Sequence, residues 1–357
     1  MPDPYRVAVV GCGIGRSHIV EGYQPQPDKF RVVALCDLDP ARLGAVADEF
    51  GIERRILDFD AVLAMEDVDI VDVCTPPATH KRMVIAALKA GKHVVCEKPL
   101  VGSLRDVDEV MAVERGATGR LMPIFQYRYG DGAQKAKRIL DAGLAGRPFV
   151  ATAETHWKRT AAYYDNPWRG RWETELGGVL MTHAIHIHDL VTYFMGPVEN
   201  LFARVATLVN DIEVEDCVSS SWRMANGALV TSSATLGAQT EISRLRFCFE
   251  NVTFESGLSP YSPADEPWSI QPASPEVAAR IEAVLSDHRP VGRRFTGQMA
   301  DFHARLVAGE PAPVTSADAR RALELVTAFY DSASSGRDVT LPIAADHPNY
   351  ASWRPAA

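Results

Sequence analysis

Arg6-Val7-Ala8-Val9-Val10-Gly11-Cys12-Gly13-Ile14-Gly15-Arg16-Ser17-His18 is a β-rich run that passes directly into a glycine loop. Glycines at such a turn let the backbone bend tightly and approach a pyrophosphate, which then rests on the N-terminus of the next helix. Gly11, Cys12, Gly13, Ile14 and Gly15 are therefore the expected cradle of a dinucleotide. The spacing is G-x-G-x-G, one residue shorter than the usual G-x-G-x-x-G, which leaves the packing role of the third glycine open. A strand before the loop and a helical pattern after it supply the context the motif needs.

Further apolar runs follow at regular intervals. Phe30 to Cys36 ends in Asp37. An acidic residue about twenty residues or more beyond the glycines can accept hydrogen bonds from the adenosine ribose hydroxyls and repel a 2′-phosphate, so NAD is expected over NADP. Asp39 before Pro40 suits the helix cap, which frees Asp37 for the ribose. Asp69 to Cys74 is another buried strand, followed by the turn Thr75-Pro76-Pro77 and a helix start near His80. Val94 to Cys96, bounded by turn formers, ends in Glu97-Lys98-Pro99. Those residues fall at the carboxyl end of a parallel strand, where open α/β sheets bind ligands. Leu121 to Gln126 closes the series. Alternating strands and helices predict an α/β fold with a doubly wound parallel sheet, a Rossmann domain over residues 1–126.

From Pro148 the character changes. Phe149 to Trp157, Val198 to Leu208, Val214 to Met224, Ala228 to Leu236 and Ser243 to Phe249 are alternating or β-rich, and Asn226-Gly227 is a hairpin turn. They predict a C-terminal α+β domain over residues 127–357 with a mostly antiparallel open sheet. A flanking helix from about Gly178 to Met195 is expected, with later helices over Glu276–Leu285, Gly297–Val307 and Ala317–Ser335. The proline- and serine-rich stretch 257–274 is expected to be a surface loop. An open sheet with one face uncovered by local helices suggests a homodimer or homotetramer.

Composition narrows the function. The 357 residues are 46% hydrophobic and 23% charged, as in ordinary globular proteins. A formal net charge of −9 without any basic run opposes a nucleic-acid partner. No stretch approaches the roughly 20 apolar residues of a membrane span. The chain enters a strand almost at once, so no signal peptide is expected, and six cysteines without a Cys-x-x-Cys pair suit a reducing cytoplasm.

Gly177-Gly178-Val179-Leu180-Met181-Thr182-His183-Ala184-Ile185-His186-Ile187-His188-Asp189 carries the second constellation. Thr182, His183, His186, Asp189 and Tyr193 fall on one helical stripe, with His188 on the other side. Three histidines without a lysine favour a cleft lining over a solvated face. His183, His186 and Asp189 could converge on zinc, but no fourth ligand is evident, and no metal is expected. Between sheet and helix lie Trp157-Lys158-Arg159 and Trp168-Arg169-Gly170-Arg171-Trp172. Aromatic faces stack on sugar C–H faces and arginines bond hydroxyls or carboxylates, so Trp157, Arg169 and Trp172 are candidate substrate contacts. A packed lid or subunit contact is the alternative.

With the glycine loop, Glu97-Lys98-Pro99 and the glycine-led histidine helix in place, the chain resembles the glucose-fructose oxidoreductase / inositol dehydrogenase / rhizopine-catabolism (Gfo/Idh/MocA) family over nearly its whole length. The resemblance implies an NAD(P)-dependent oxidoreductase acting on a secondary alcohol of a sugar, sugar acid or cyclitol. It implies that Thr75, Pro76 and His80 neighbour the dinucleotide, that Glu97 positions Lys98 beside it, and that Lys98 stabilises the substrate alkoxide. Tyr127, Arg128, Thr182 and His183 are expected at the substrate, with Lys98 and His186 catalytic and the substrate bridging the two domains. His186 matches the family's acid/base. Relatives often carry aspartate where this chain has Thr182, so the proton falls to His186 alone or is shared with His183 or Lys98. An NAD-retaining glycoside hydrolase and a dinucleotide-sensing regulator are the rival readings.

Overall fold

The computed structural model describes residues 3–354. The described residues divide into two compact units, one of residues 3–125 with 294–320, the other of residues 126–293 with 321–354.

The first unit holds six strands: β1 (Tyr5–Val10), β2 (Phe30–Cys36), β3 (Arg54–Ile56), β4 (Ile70–Val73), β5 (His93–Cys96) and β6 (Leu121–Pro123). They lie in the order β3-β2-β1-β4-β5-β6, and every pairing is parallel. This is the doubly wound Rossmann order, as the alternating pattern predicted. The central strands are buried on both faces, β4 throughout, and apolar but for Asp72, because helices cover both sides. Asp39 caps the helix Pro40–Phe50 through the amides of Ala41 and Arg42, as its place before Pro40 predicted.

Residues 294–320 cluster with this unit, although they lie far beyond residue 126, where the sequence had placed the boundary. The reason lies in helix Arg294–Ala308. Its Gln298 is fully buried, accepts from the Phe125 amide at 3.1 Å and donates to the Pro123 carbonyl at 2.8 Å. Backbone groups at the open edge of β6 are thus satisfied by a helix from 170 or more residues away.

The second unit is built on β7 (Pro148–Lys158), β8 (Val198–Ala206), β9 (Cys217–Met224), β10 (Leu229–Thr235), β11 (Gly237–Phe249), β12 (Val252–Glu255), β13 (Ser269–Pro272) and β14 (Val339–Thr340). Their order is β13-β12-β11-β7-β10-β9-β8-β14, antiparallel except for β7 with β10. Burial alternates along β9, the mark of a sheet with one face on the core. Gly227, at φ +88°, makes the expected Asn226-Gly227 turn, closed by Met224 N–H to Ala228 O at 2.8 Å. The stretch expected as loop contains β13. Its Ser-Ile-Gln-Pro sequence has no apolar pattern because an edge strand with proline needs none.

Candidate functional site in two halves

In the first unit the glycine loop follows β1. Gly11 has φ +99°, and a Cβ there would lie 2.5 Å from the Cys74 carbonyl oxygen, so only glycine fits. A Cβ on Gly13 would meet nothing within 4 Å, which leaves its backbone open to a ligand. One on Gly15 would lie 2.7 Å from Val9 Cγ1. The third glycine therefore performs helix–strand packing despite the shortened spacing. The helix it opens turns from α to π at His18–Tyr23, with Gln24 N–H reaching Ile19 O at 2.9 Å. Ile14 is exposed, whereas Cys12 is buried and presents only backbone; burial pushes its thiol up to about 12.

Asp37 stands at the end of β2 with both oxygens engaged. Oδ2 accepts from Cys12 N–H at 2.7 Å and Arg42 Nε at 3.0 Å; Oδ1 accepts from Asp39 N–H and Arg42 Nη2, both at 2.9 Å. Burial pushes its pKa up, but Arg42 and the two amides outweigh that and hold it below the usual value. Thr75 and Pro76 are half-buried at the end of β4. His80 is fully buried, its ring nitrogens 2.7 Å from the Thr75 carbonyl and 2.8 Å from that of Pro99. It fastens two strand-end turns together and presents no surface to a ligand, a correction to its expected place among the cofactor contacts.

Glu97 and Lys98 lie just beyond β5, at the same carboxyl edge as the glycine loop and Asp37. Glu97 is buried. One oxygen faces His18 Nε2 at 2.9 Å and the other accepts the Lys98 amide at 3.0 Å. Burial raises its pKa, but His18 and Lys98 hold it below the ordinary value. Lys98 is half-buried. His18 and Asp72 were missed as members of this edge. The available clue was an aspartate inside the otherwise apolar strand Ile70–Val73.

The second unit supplies the histidine helix, which begins as a π turn at Leu180–Ala184 and continues as α over Ile185–Met195. Its start is anchored from below. Glu215 accepts from Gly178 N–H and Leu180 N–H, both at 3.0 Å, and from Tyr330 O–H at 2.7 Å. A Cβ on Gly178 would fall 1.7 Å from the Glu215 carbonyl oxygen, which explains the glycine. Thr182 Oγ1 donates to Gly178 O and lies 2.6 Å from His183 Nδ1. His183 meets Trp157 edge-on at 5.1 Å. His186 is buried with its ring stacked on Tyr127 at 4.5 Å and 20°. His188 points away, stacked on Phe329 at 5.0 Å, and burial alone lowers its pKa to about 3.

Some expected substrate contacts are otherwise engaged. Arg128 is buried, and its Nε and Nη2 donate to both oxygens of Asp189 at 2.8 and 2.6 Å while its guanidinium lies 4.5 Å over Tyr193. Asp189 is thus aimed at Arg128, which removes it from any metal set with His183 and His186. Trp157 is buried and donates to Ser243. Arg169 pairs with the buried Glu175 at 3.0 Å and lies over Tyr163 and Trp168. Trp172 packs on Tyr330 at 5.4 Å. The aromatic-basic segment is a self-packed element of this unit. An open cavity of about 550 Å³ among Lys158, Arg159, Tyr164, Asn210 and Gln239 holds none of the expected catalytic side chains.

Comparison with known proteins follows the same division. Residues 5–125 match the model for an oxidoreductase family with an NAD-binding Rossmann fold, and residues 133–255 match the Gfo/Idh/MocA C-terminal domain. D-Apiose dehydrogenase of Rhizobium rhizogenes is 25% identical over 94% of this chain and 96% of that protein. Myo-inositol 2-dehydrogenase of Thermotoga maritima is 32% identical over 58% of this chain and 60% of its own length. Among solved structures, the WlbA dehydrogenase of Bordetella pertussis, in complex with NADH and UDP-GlcNAcA, superposes with a TM-score of 0.85 at 27% identity, covering 96% of this chain and 99% of that one. No helix among the described residues is long and apolar enough to cross a membrane. The two family models together span about two thirds of the sequence, and the chain belongs to the Gfo/Idh/MocA oxidoreductase family.

Proposed function

We propose that the protein is an NAD-dependent dehydrogenase of a secondary alcohol in a sugar, sugar acid or cyclitol. The observation that carries this reading is the carboxyl edge of the parallel sheet, where an open glycine loop, an acidic strand end and Lys98 stand after β1, β2 and β5. Two features support the dinucleotide: Gly13 leaves its backbone accessible, and Asp37 ends β2 beside the glycine loop, accepting the Cys12 amide, as an acidic ribose-reading residue would. When bound, NAD supplies the hydride acceptor at nicotinamide C4.

The chain's own residues do the rest. Lys98 donates to the substrate oxygen and stabilises the alkoxide charge that develops there. His186 takes the hydroxyl proton, with its ring plane fixed by Tyr127. Thr182 and His183 orient hydroxyls beside it. No metal enters the proposed reaction. A cytoplasmic location and a homodimer or homotetramer remain part of this proposal; sedimentation tests the latter.

The test is a screen of aldoses, inositols and sugar acids for NADH formation. Lys98→Ala is expected to lower kcat by about 10²–10³, the scale of losing one transition-state donor. His186→Ala is expected to lower it by about 10²–10⁴ and to flatten the acidic limb of the pH profile. If NAD binds but no member of these classes is oxidised, the reading fails. Release of free sugar without net NADH would replace it with NAD-retaining hydrolysis.

A further inference from the structure

His18 follows the glycine loop and is fully buried, yet nothing in the proposed reaction uses it. Its Nδ1 lies 2.8 Å from Asp72 Oδ2 and its Nε2 lies 2.9 Å from Glu97 Oε1. A neutral imidazole carries one N–H. It would leave a bare ring nitrogen facing a carboxylate oxygen in a dry interior, whereas an imidazolium donates to both. Asp72 is also fully buried and accepts from Tyr23 O–H at 2.9 Å and from the Cys74 thiol at 3.4 Å. Phe295 covers the imidazole at 4.5 Å from helix Arg294–Ala308. The groups around His18 are therefore Asp72 and Cys74 from β4 and its end, Tyr23 from its own helix, Glu97 beyond β5, and an apolar ring.

We propose that His18 is a positioning residue for Lys98: a charged clamp between Asp72 and Glu97 that fixes the Glu97 carboxylate, which in turn holds the Lys98 backbone. The proposal rests on the catalytic reading of Lys98. Charge balance supports the clamp, because Glu97 feels both His18 and the adjacent lysine while Asp72 faces His18. Burial opposes the charge on His18, but the Asp72 carboxylate outweighs it and holds its pKa well above the ordinary histidine value. The same contacts tie the helix that opens on the dinucleotide loop to the strand end that carries the reacting group.

Two measurements decide it. In nitrogen NMR of the intact protein, both His18 ring nitrogens are expected to stay protonated from pH 5 to 9, roughly spanning an unperturbed histidine's titration; deprotonation near neutral pH overturns the proposal. In a second experiment, lysines are reductively methylated with ¹³C, and Lys98 is identified as the resonance lost in Lys98→Arg. His18→Gln removes a positive charge and should raise the Lys98 pKa while lowering kcat about tenfold or more. NAD binding by calorimetry and substrate KM should change little. His18→Gln with Asp72→Asn removes one charge of each sign and should return the Lys98 pKa toward its starting value, which a packing role would not produce. A folded His18→Gln protein with unchanged Lys98 pKa and kcat overturns the clamp. Should the protein oxidise no sugar, the two NMR readouts still decide the clamp separately from the dehydrogenase reading.

Discussion

Replacing Glu215 by glutamine should change how stability depends on pH. Glu215 is buried beneath the start of the histidine helix, accepting two backbone amides and the Tyr330 hydroxyl. Burial pushes its pKa from 4.5 up to about 7, against the opposing pull of those three donors. Because the folded value is raised, its contribution to stability is full below about pH 4.5 and is lost as pH rises through about 7. The shift amounts to about 3 kcal/mol between those limits, good to about half that figure. Glutamine does not titrate and should remove this slope. It also sets an amide N–H₂ against backbone N–H groups, so it should lose about 1–3 kcal/mol where the wild-type carboxyl is ionised or shared. All six tryptophans (157, 168, 172, 222, 268 and 353) belong to this unit, so urea unfolding followed by their fluorescence reports on it selectively. Measured from pH 5 to 8, wild type minus variant should show the loss. If the variant keeps the wild-type slope, Glu215 is not the titrating anchor.

Other perturbations follow from the same geometry. Arg42→Ala should free Asp37 to receive the ribose hydroxyls and sharpen the preference for NAD, whereas Asp37→Ser should relax it, each by about tenfold in relative Kd by calorimetry. Tighter binding of NADP than NAD by the unmodified protein would overturn the assignment. Arg128→Ala strands a buried Asp189 carboxylate and should lower stability by about 3–5 kcal/mol in the same urea assay; a loss under about 1 kcal/mol would refute the buried pair. Dialysis against a chelator should leave turnover intact, and activity lost on chelation and restored by zinc would reinstate a metal at His183 and His186.

The parallel sheet was legible because its strands are buried on both faces and leave apolar runs, such as Val7–Val10 and Val94–Cys96, between turn formers. The second sheet was legible in its long strands, where one face is solvated and the sequence alternates. What escaped has a physical cause in each case. β13 is a polar edge strand and carries no periodicity. Helix Arg294–Ala308 shows an apolar face, but amphipathicity does not say which core that face covers. The stripe Thr182, His183, His186, Asp189 and Tyr193 was visible at helical spacing, yet the partner that takes Asp189 lies 61 residues earlier. Contacts at that separation are chosen by the assembled sheet.

Histidines show where the limit lies. His18 and His188 each sit on a helix beside an isoleucine, and both are buried. By local pattern they are the same residue. Burial lowers the pKa of either ring, and His188, bonded to Ser232 at 3.2 Å and stacked on Phe329, has nothing to oppose it. His18 meets two carboxylates, and that of Asp72 outweighs the desolvation. One is a neutral core side chain and the other a cation. The difference is made by Asp72 and Glu97, 54 and 79 residues further along, brought to the same edge because β4 and β5 are neighbours in the sheet. A polar residue inside an apolar strand is the trace such an arrangement leaves in sequence, since an unpaired carboxylate there would not be tolerated. Asp72 is that trace, although its partner could be named only once the strands and the glycine-loop helix were seen together.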